Sequence, residues 1–176
     1  MLPNLEEFGI NAPVYIRKID SRSRWNPEGC SNDEERAQKI ADSLFKEEVY
    51  SLWRVTSKLE FYGVIASLSS RRNPKHQDID FIWIMEEELE EVGIQPEAIP
   101  EGDCLLVQNL HFNAQIDNIK VQQLCLNLLR KGRQAQRCKK KTTKLILDYQ
   151  ASQQCKAANS NFLKCRCEDL LEISVT

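Results

Sequence analysis

The chain has 176 residues, 41% of them apolar and 28% charged, and a formal net charge of −2. That length and balance suit one domain with a real core and exclude a disordered or low-complexity chain. Its apolar runs are far shorter than the roughly 20 residues of a membrane helix, and "MLPNLEEFGI" has no basic or apolar signal region, so a cytoplasmic protein without membrane contact is expected.

"VYIRKID" (14–20) follows Pro13 and reads as a short strand at a sheet edge. "SRSRWNPEG" is loop, punctuated by Asn-Pro and Gly. In "SNDEERAQKIADSLFKE", Ser31 and Glu34 have capping-box spacing, and Ala37, Ile40, Ala41 and Leu44 recur at helical intervals. The spacing predicts a helix over about 32–46. Three strands rich in aromatic and branched residues follow, over about 48–55, 59–68 and 79–85, with "TSK" as a hairpin connection between the first two. "IDFIWIM" puts Ile79, Phe81, Trp83 and Met85 on one face and Ile82 and Ile84 on the other. A strand apolar on both faces belongs in the interior of a sheet.

"EEELEEV" (86–92) is a short acidic helix or turn that Gly93 ends. "IQPEAIPEGD" is loop, and "CLLVQNLHF" (104–112) reads as a strand. Asn118 caps a helix over 118–131 that carries Val121, Leu124, Cys125 and Leu128, and Gly132 stops it. "RQAQRCKKKTTK" reads as a loop or fraying helix end, "LILDY" (145–149) as a strand or one helical turn, and "ISV" as a last strand. Together these predict a single α+β domain over 1–176. Its mainly antiparallel sheet has about four to six strands in a meander, covered by two main helices, with a hinge or boundary near 131–143 before a C-terminal segment.

The charge is segregated along the chain. Between His76 and Ile119 there is no Lys or Arg, and between Asn118 and Leu147 there is no Asp or Glu. This asymmetry points to two opposed surfaces, or to an acidic and a basic element packed together. Arg130, Lys131, Arg133, Arg137, Lys139, Lys140, Lys141 and Lys144 form the basic stretch. Such a run suits phosphate or another polyanion, nucleic acid included, but no aromatic side chain interleaves to stack bases. The function expected from these features is a non-enzymatic interaction or regulatory protein, engaging a protein partner or a second copy of itself.

Asp78 and Asp80 carry two readings. Aspartates are common where a loop enters a strand. On a strand, residues i and i+2 also share a face, where two carboxylates can hold Mg²⁺. In "YGVIASLSSRRNPKHQDIDFIWI" the Asp-x-Asp opening an apolar strand resembles the motif of nucleotidyltransferase-fold proteins. The resemblance implies Mg²⁺ on Asp78 and Asp80 and a third carboxylate on a later strand, which has no clear counterpart here beyond Asp103 or Asp117. The hydroxyls and guanidinium groups of residues 66–72 would have to replace the family's Gly-Ser turn in contacting phosphates. The chain departs from that pattern at Gly63, which Val64 follows where the family has Ser. No cofactor is expected otherwise.

Cys138, Cys155, Cys165 and Cys167 raise a zinc reading, but their spacing lacks paired C-x₂₋₄-C knuckles, so reduced, buried thiols are expected. His76 and His111 are isolated in sequence, and His111 reads as a hydrogen-bonded structural residue.

Overall fold

A computed structural model describes residues 1–45, 49–70, 77–101 and 105–153. The strands are β1 (Val14–Ile19), β2 (Val49–Val55), β3 (Ile79–Ile84), β4 (Glu97–Ala98), β5 (His111–Gln115) and β6 (Gln136–Cys138). The helices are α1 (Asp33–Leu44), α2 (Lys58–Ser70), α3 (Glu86–Glu90), α4 (Leu105–Leu110), α5 (Asn118–Arg130) and α6 (Lys140–Ser152). The six strands form one sheet in the order β4-β5-β2-β1-β3-β6, and every neighbouring pair is antiparallel. The fold is α+β. Among the described residues no helix is long and apolar enough to cross a membrane.

The strands do not form a meander, because a helix lies between each strand and the next. β1 is not an edge strand either. It sits between β2 and β3, with Ile16 opposite both Trp53 and Trp83. Its side chains alternate between two cores, as the pleat requires. Val14 and Ile16 join one core with Trp53, Phe61, Phe81 and Ile146. Tyr15 and Ile19 join the other with Ile40, Leu52, Ile82 and Leu124. Thus α2, α4 and α6 serve one face, and α1 and α5 pair across the other. β3 is buried along its whole length, as a strand between two helical layers must be.

The largest departure from the sequence reading is α2, expected as a strand. Phe61, Tyr62, Val64, Ile65, Ala66 and Leu68 are all buried, so the helix is apolar nearly all round and shows no amphipathic stripe. Its start is nonetheless written in the residues taken for a hairpin turn. The Ser57 hydroxyl accepts from the Glu60 N–H at 3.3 Å, and the Glu60 carboxylate accepts from the Ser57 N–H at 3.1 Å. Ser57 and Glu60 are a capping box.

At α1 the cap lies one residue later than expected. Asn32, not Ser31, accepts from the Glu35 N–H at 2.8 Å. Glu35 accepts from the backbone and hydroxyl of Ser31, and with Lys39 alongside this pulls its carboxyl down to about 2. Asp117, not Asn118, caps α5 by accepting from the Lys120 N–H. Of the stretch read as a strand over 104–112, the described residues 105–112 are α4 turning into β5. "LILDY" lies inside the 13-residue α6. Among the described residues, four long helices therefore cover the sheet rather than two. Residues 131–143 hold β6 and the first turn of α6. The predicted strand "ISV" lies outside the described residues.

The polar ends of four large aromatic side chains tie flanking segments to this frame, three of them across long stretches of sequence. Tyr50 donates to the Phe45 carbonyl, Tyr62 to Pro3, Trp83 to Phe8 and Trp25 to Arg133. Each buries a large apolar body while its single donor is satisfied.

Candidate functional site

The sheet register decides what Asp80 does. β6 runs antiparallel to β3 and places Arg137 directly opposite Asp80, and opposite charges facing each other across a ladder attract. The guanidinium grips the carboxylate with two bonds, Nε to Oδ1 and Nη2 to Oδ2, both 2.6 Å. The Arg22 N–H donates to Oδ2 at 2.8 Å. Asp80 is 6% exposed. Burial pushes its carboxyl up, but the Arg137 and Arg22 donors outweigh that and hold it below its ordinary value.

Asp78 sits two residues earlier and meets the same arginine, with Oδ2 3.3 Å from Arg137 Nη1. Its other oxygen accepts from the Lys140 backbone N–H at 2.7 Å. Lys139, at the N-cap of α6, makes no side-chain cap bond. Asp78 therefore caps α6 from the position just before β3 and places negative charge at the positive end of the helix dipole. Both aspartates are strand-entrance residues that brace the β3–β6–α6 corner.

The other residues of the nucleotidyltransferase resemblance are dispersed. Gly63 lies inside α2, where the motif requires a turn after a strand. Asp117 is the α5 cap, and Asp103 is outside the described residues. Among the described residues, no three Asp, Glu, His or Cys side chains come together as a metal-binding group.

The eight basic candidates divide into two sets. Arg130 pairs with Glu34 at 2.6 Å and joins α5 to α1. Lys131 pairs with Glu91 at 2.9 Å, Arg133 with Glu88 at 2.7 Å, and Arg137 with the two aspartates. Arg133 also lies over the Trp83 ring, 3.2 Å from its centroid, a stacked geometry that favours arginine. Lys139, Lys140, Lys141 and Lys144 are exposed, and none of their side chains has an acidic partner among the described residues. They sit at the N-cap and on the first two turns of α6, next to the positive end of its dipole, where cations disfavour a helix.

Of the zinc candidates, Cys138 is buried and free, and its hydroxyl neighbour is Thr143. Burial pushes its thiol up to about 11. Cys155, Cys165 and Cys167 lie outside the described residues, as does His76. His111 is buried, with Nδ1 2.7 Å from the Ile99 carbonyl.

Sequence reasoning missed Arg22 and the joining of Asp80 to Arg137. The first contributes a backbone N–H, which no side-chain motif reports. The second spans 57 residues of chain.

The brace has a pH signature. Because the folded Asp80 carboxyl lies below its unfolded value of about 3.9, its contribution is fully present above that pH. It is lost as pH falls through the lower folded value. Urea unfolding midpoints measured from pH 5 downward are expected to drop in acid, with a shallower drop in Asp80→Asn. Equal slopes in the two proteins would show that Asp80 is not linked to acid unfolding.

No family model, no curated protein and no solved structure matches the chain.

Proposed function

We propose that the chain acts by binding rather than by catalysis: it is a cytoplasmic interaction protein whose lysine cluster at the start of α6 engages an anionic partner. The observation that carries this reading is the division of the basic stretch. Four cations are consumed by the protein's own acids, while Lys139, Lys140, Lys141 and Lys144 are exposed with no acidic partner among the described residues. Those four lysines disfavour the helix they begin, and Asp78 offsets part of that cost. A bound polyanion would offset the rest. Their long flexible stems suit a diffuse anionic surface better than a shaped pocket.

Retention on a heparin column tests it. The native chain is expected to bind at low salt and elute as salt rises, because such contacts release counterions. The triple variant Lys139→Ala, Lys140→Ala, Lys141→Ala is expected to flow through while unfolding at an unchanged or slightly higher urea concentration. Equal retention of the two proteins would overturn the proposal.

A further inference from the structure

A second cationic feature lies beside the brace and does not use the lysines. A cleft of about 460 Å³ opens between the 3₁₀ turn Arg22–Trp25 and the residues leading into β6. Ser21, Arg22, Ser23, Asn26, Gln134 and Arg137 line it, with no carboxylate and no aromatic ring among the described lining residues. Each of those six side chains carries a hydrogen-bond donor.

The buried carboxylate of Asp80 organises this wall from behind. It fixes the plane of the Arg137 guanidinium through two bonds and holds the Arg22 backbone through a third. The Arg22 side chain itself is exposed and makes no hydrogen bond or ion pair among the described residues. Ser21 and Ser23 have hydroxyls 2.7 Å apart, so they share one hydrogen bond and one hydroxyl proton remains to donate elsewhere. The Arg22 guanidinium thus keeps its donors free of hydrogen bonds among the described residues, though its charge is felt at Asp80. Arg137, held rigid by Asp78 and Asp80, retains two of its five N–H donors, with hydroxyls and carboxamides around them. Guanidinium, hydroxyl and carboxamide donors lining one cleft suit the oxygens of a tetrahedral oxyanion.

We propose that this cleft is a binding site for a phosphoryl group. The site is distinct from the α6 lysine cluster and stands or falls separately. The volume exceeds that of a bare anion, so the group enters either as free phosphate or on a larger carrier such as a nucleic-acid backbone.

Backbone amide NMR of the full chain, titrated with inorganic phosphate and then with a short single-stranded oligonucleotide, tests the site. Saturable shifts are expected at Ser21–Ser23 and Gln134–Arg137. Saturation by phosphate alone supports a small-anion site, and saturation by the oligonucleotide alone supports backbone binding. Arg22→Gln keeps the N–H that Asp80 needs, so its fold should persist, and its binding is expected to be about tenfold weaker. The Lys139, Lys140, Lys141 triple variant is expected to keep the phosphate shifts. No saturable shift from either probe, or shifts unchanged in Arg22→Gln, would overturn the site.

Discussion

Glu88→Ala is expected to destabilise the protein by about 3–5 kcal/mol, the usual cost of removing one partner from a buried ion pair. Glu88 is fully buried at the start of α3. One of its oxygens holds Arg133 at 2.7 Å, and the other accepts from the Met85 N–H at 2.8 Å. The Arg133 side chain is only 9% exposed and its Nε has no partner among the described residues. Losing the carboxylate would strand that cation against Trp83 and leave the helix start uncapped. The double variant Glu88→Ala, Arg133→Met removes the stranded charge. It is expected to be more stable than Glu88→Ala alone, a non-additivity that reports direct coupling. Urea denaturation of the native chain, Glu88→Ala, Arg133→Met and the double variant measures it. A loss below about 1 kcal/mol in Glu88→Ala, the range of an exposed pair, would show that water reaches the site.

Phe61→Ala is expected to cost about 3–5 kcal/mol as well, through a different physical term. Phe61 is fully buried in α2, with its ring 5.2 Å from Phe8, 5.9 Å from Phe81 and 6.3 Å from Tyr62. Truncation would remove apolar contact and leave a void among rigid rings that cannot collapse to fill it. Phe61→Leu keeps most of the volume and is expected to lose less than about 1.5 kcal/mol. The midpoint in urea should shift while the slope stays constant, the mark of a stability change within one cooperative unit. Comparable midpoints for the Ala variant and the native chain would mean that α2 does not pack there.

What could be read from the residues follows from how each element meets water. α1 and α5 each have one wet and one dry face, so their periodicity is visible in Ile40 and Leu44, and in Leu124 and Leu128. β3 is dry on both faces and short, and its apolar run marks an interior strand. α2 is dry nearly all round, and burial on every side erases the signal that separates helix from strand. Only Ser57 and Glu60 identify it. α6 hides differently. Its buried stripe of Thr143, Ile146, Leu147 and Gln150 has helical spacing, but two of the four are polar types and read as surface.

The site follows the same pattern. Asp78, Asp80 and Arg137 are each conspicuous as residues, because paired acids and a basic run are local in sequence. Their joining depends on β6 lying against β3, which no local pattern encodes. A carboxylate pair that suggests a metal in isolation becomes a structural brace once a guanidinium lies opposite it.

The position of β1 in the sheet bears on how the protein folds. Val14 pairs with Val55, Ile19 with Asp80, Val49 with Gln115 and Ile79 with Cys138. The first strand in the sequence is an interior strand, and both of its neighbours come much later. Of the sheet's ladders, only β4–β5 joins segments close in sequence. Long loops must close before most pairings form, and that entropy slows folding relative to a hairpin-built sheet. The helices are local and can form within microseconds. β1 stays unpaired on both edges until β2 and β3 are in place, so assembly of the sheet's centre is the expected slow step of folding.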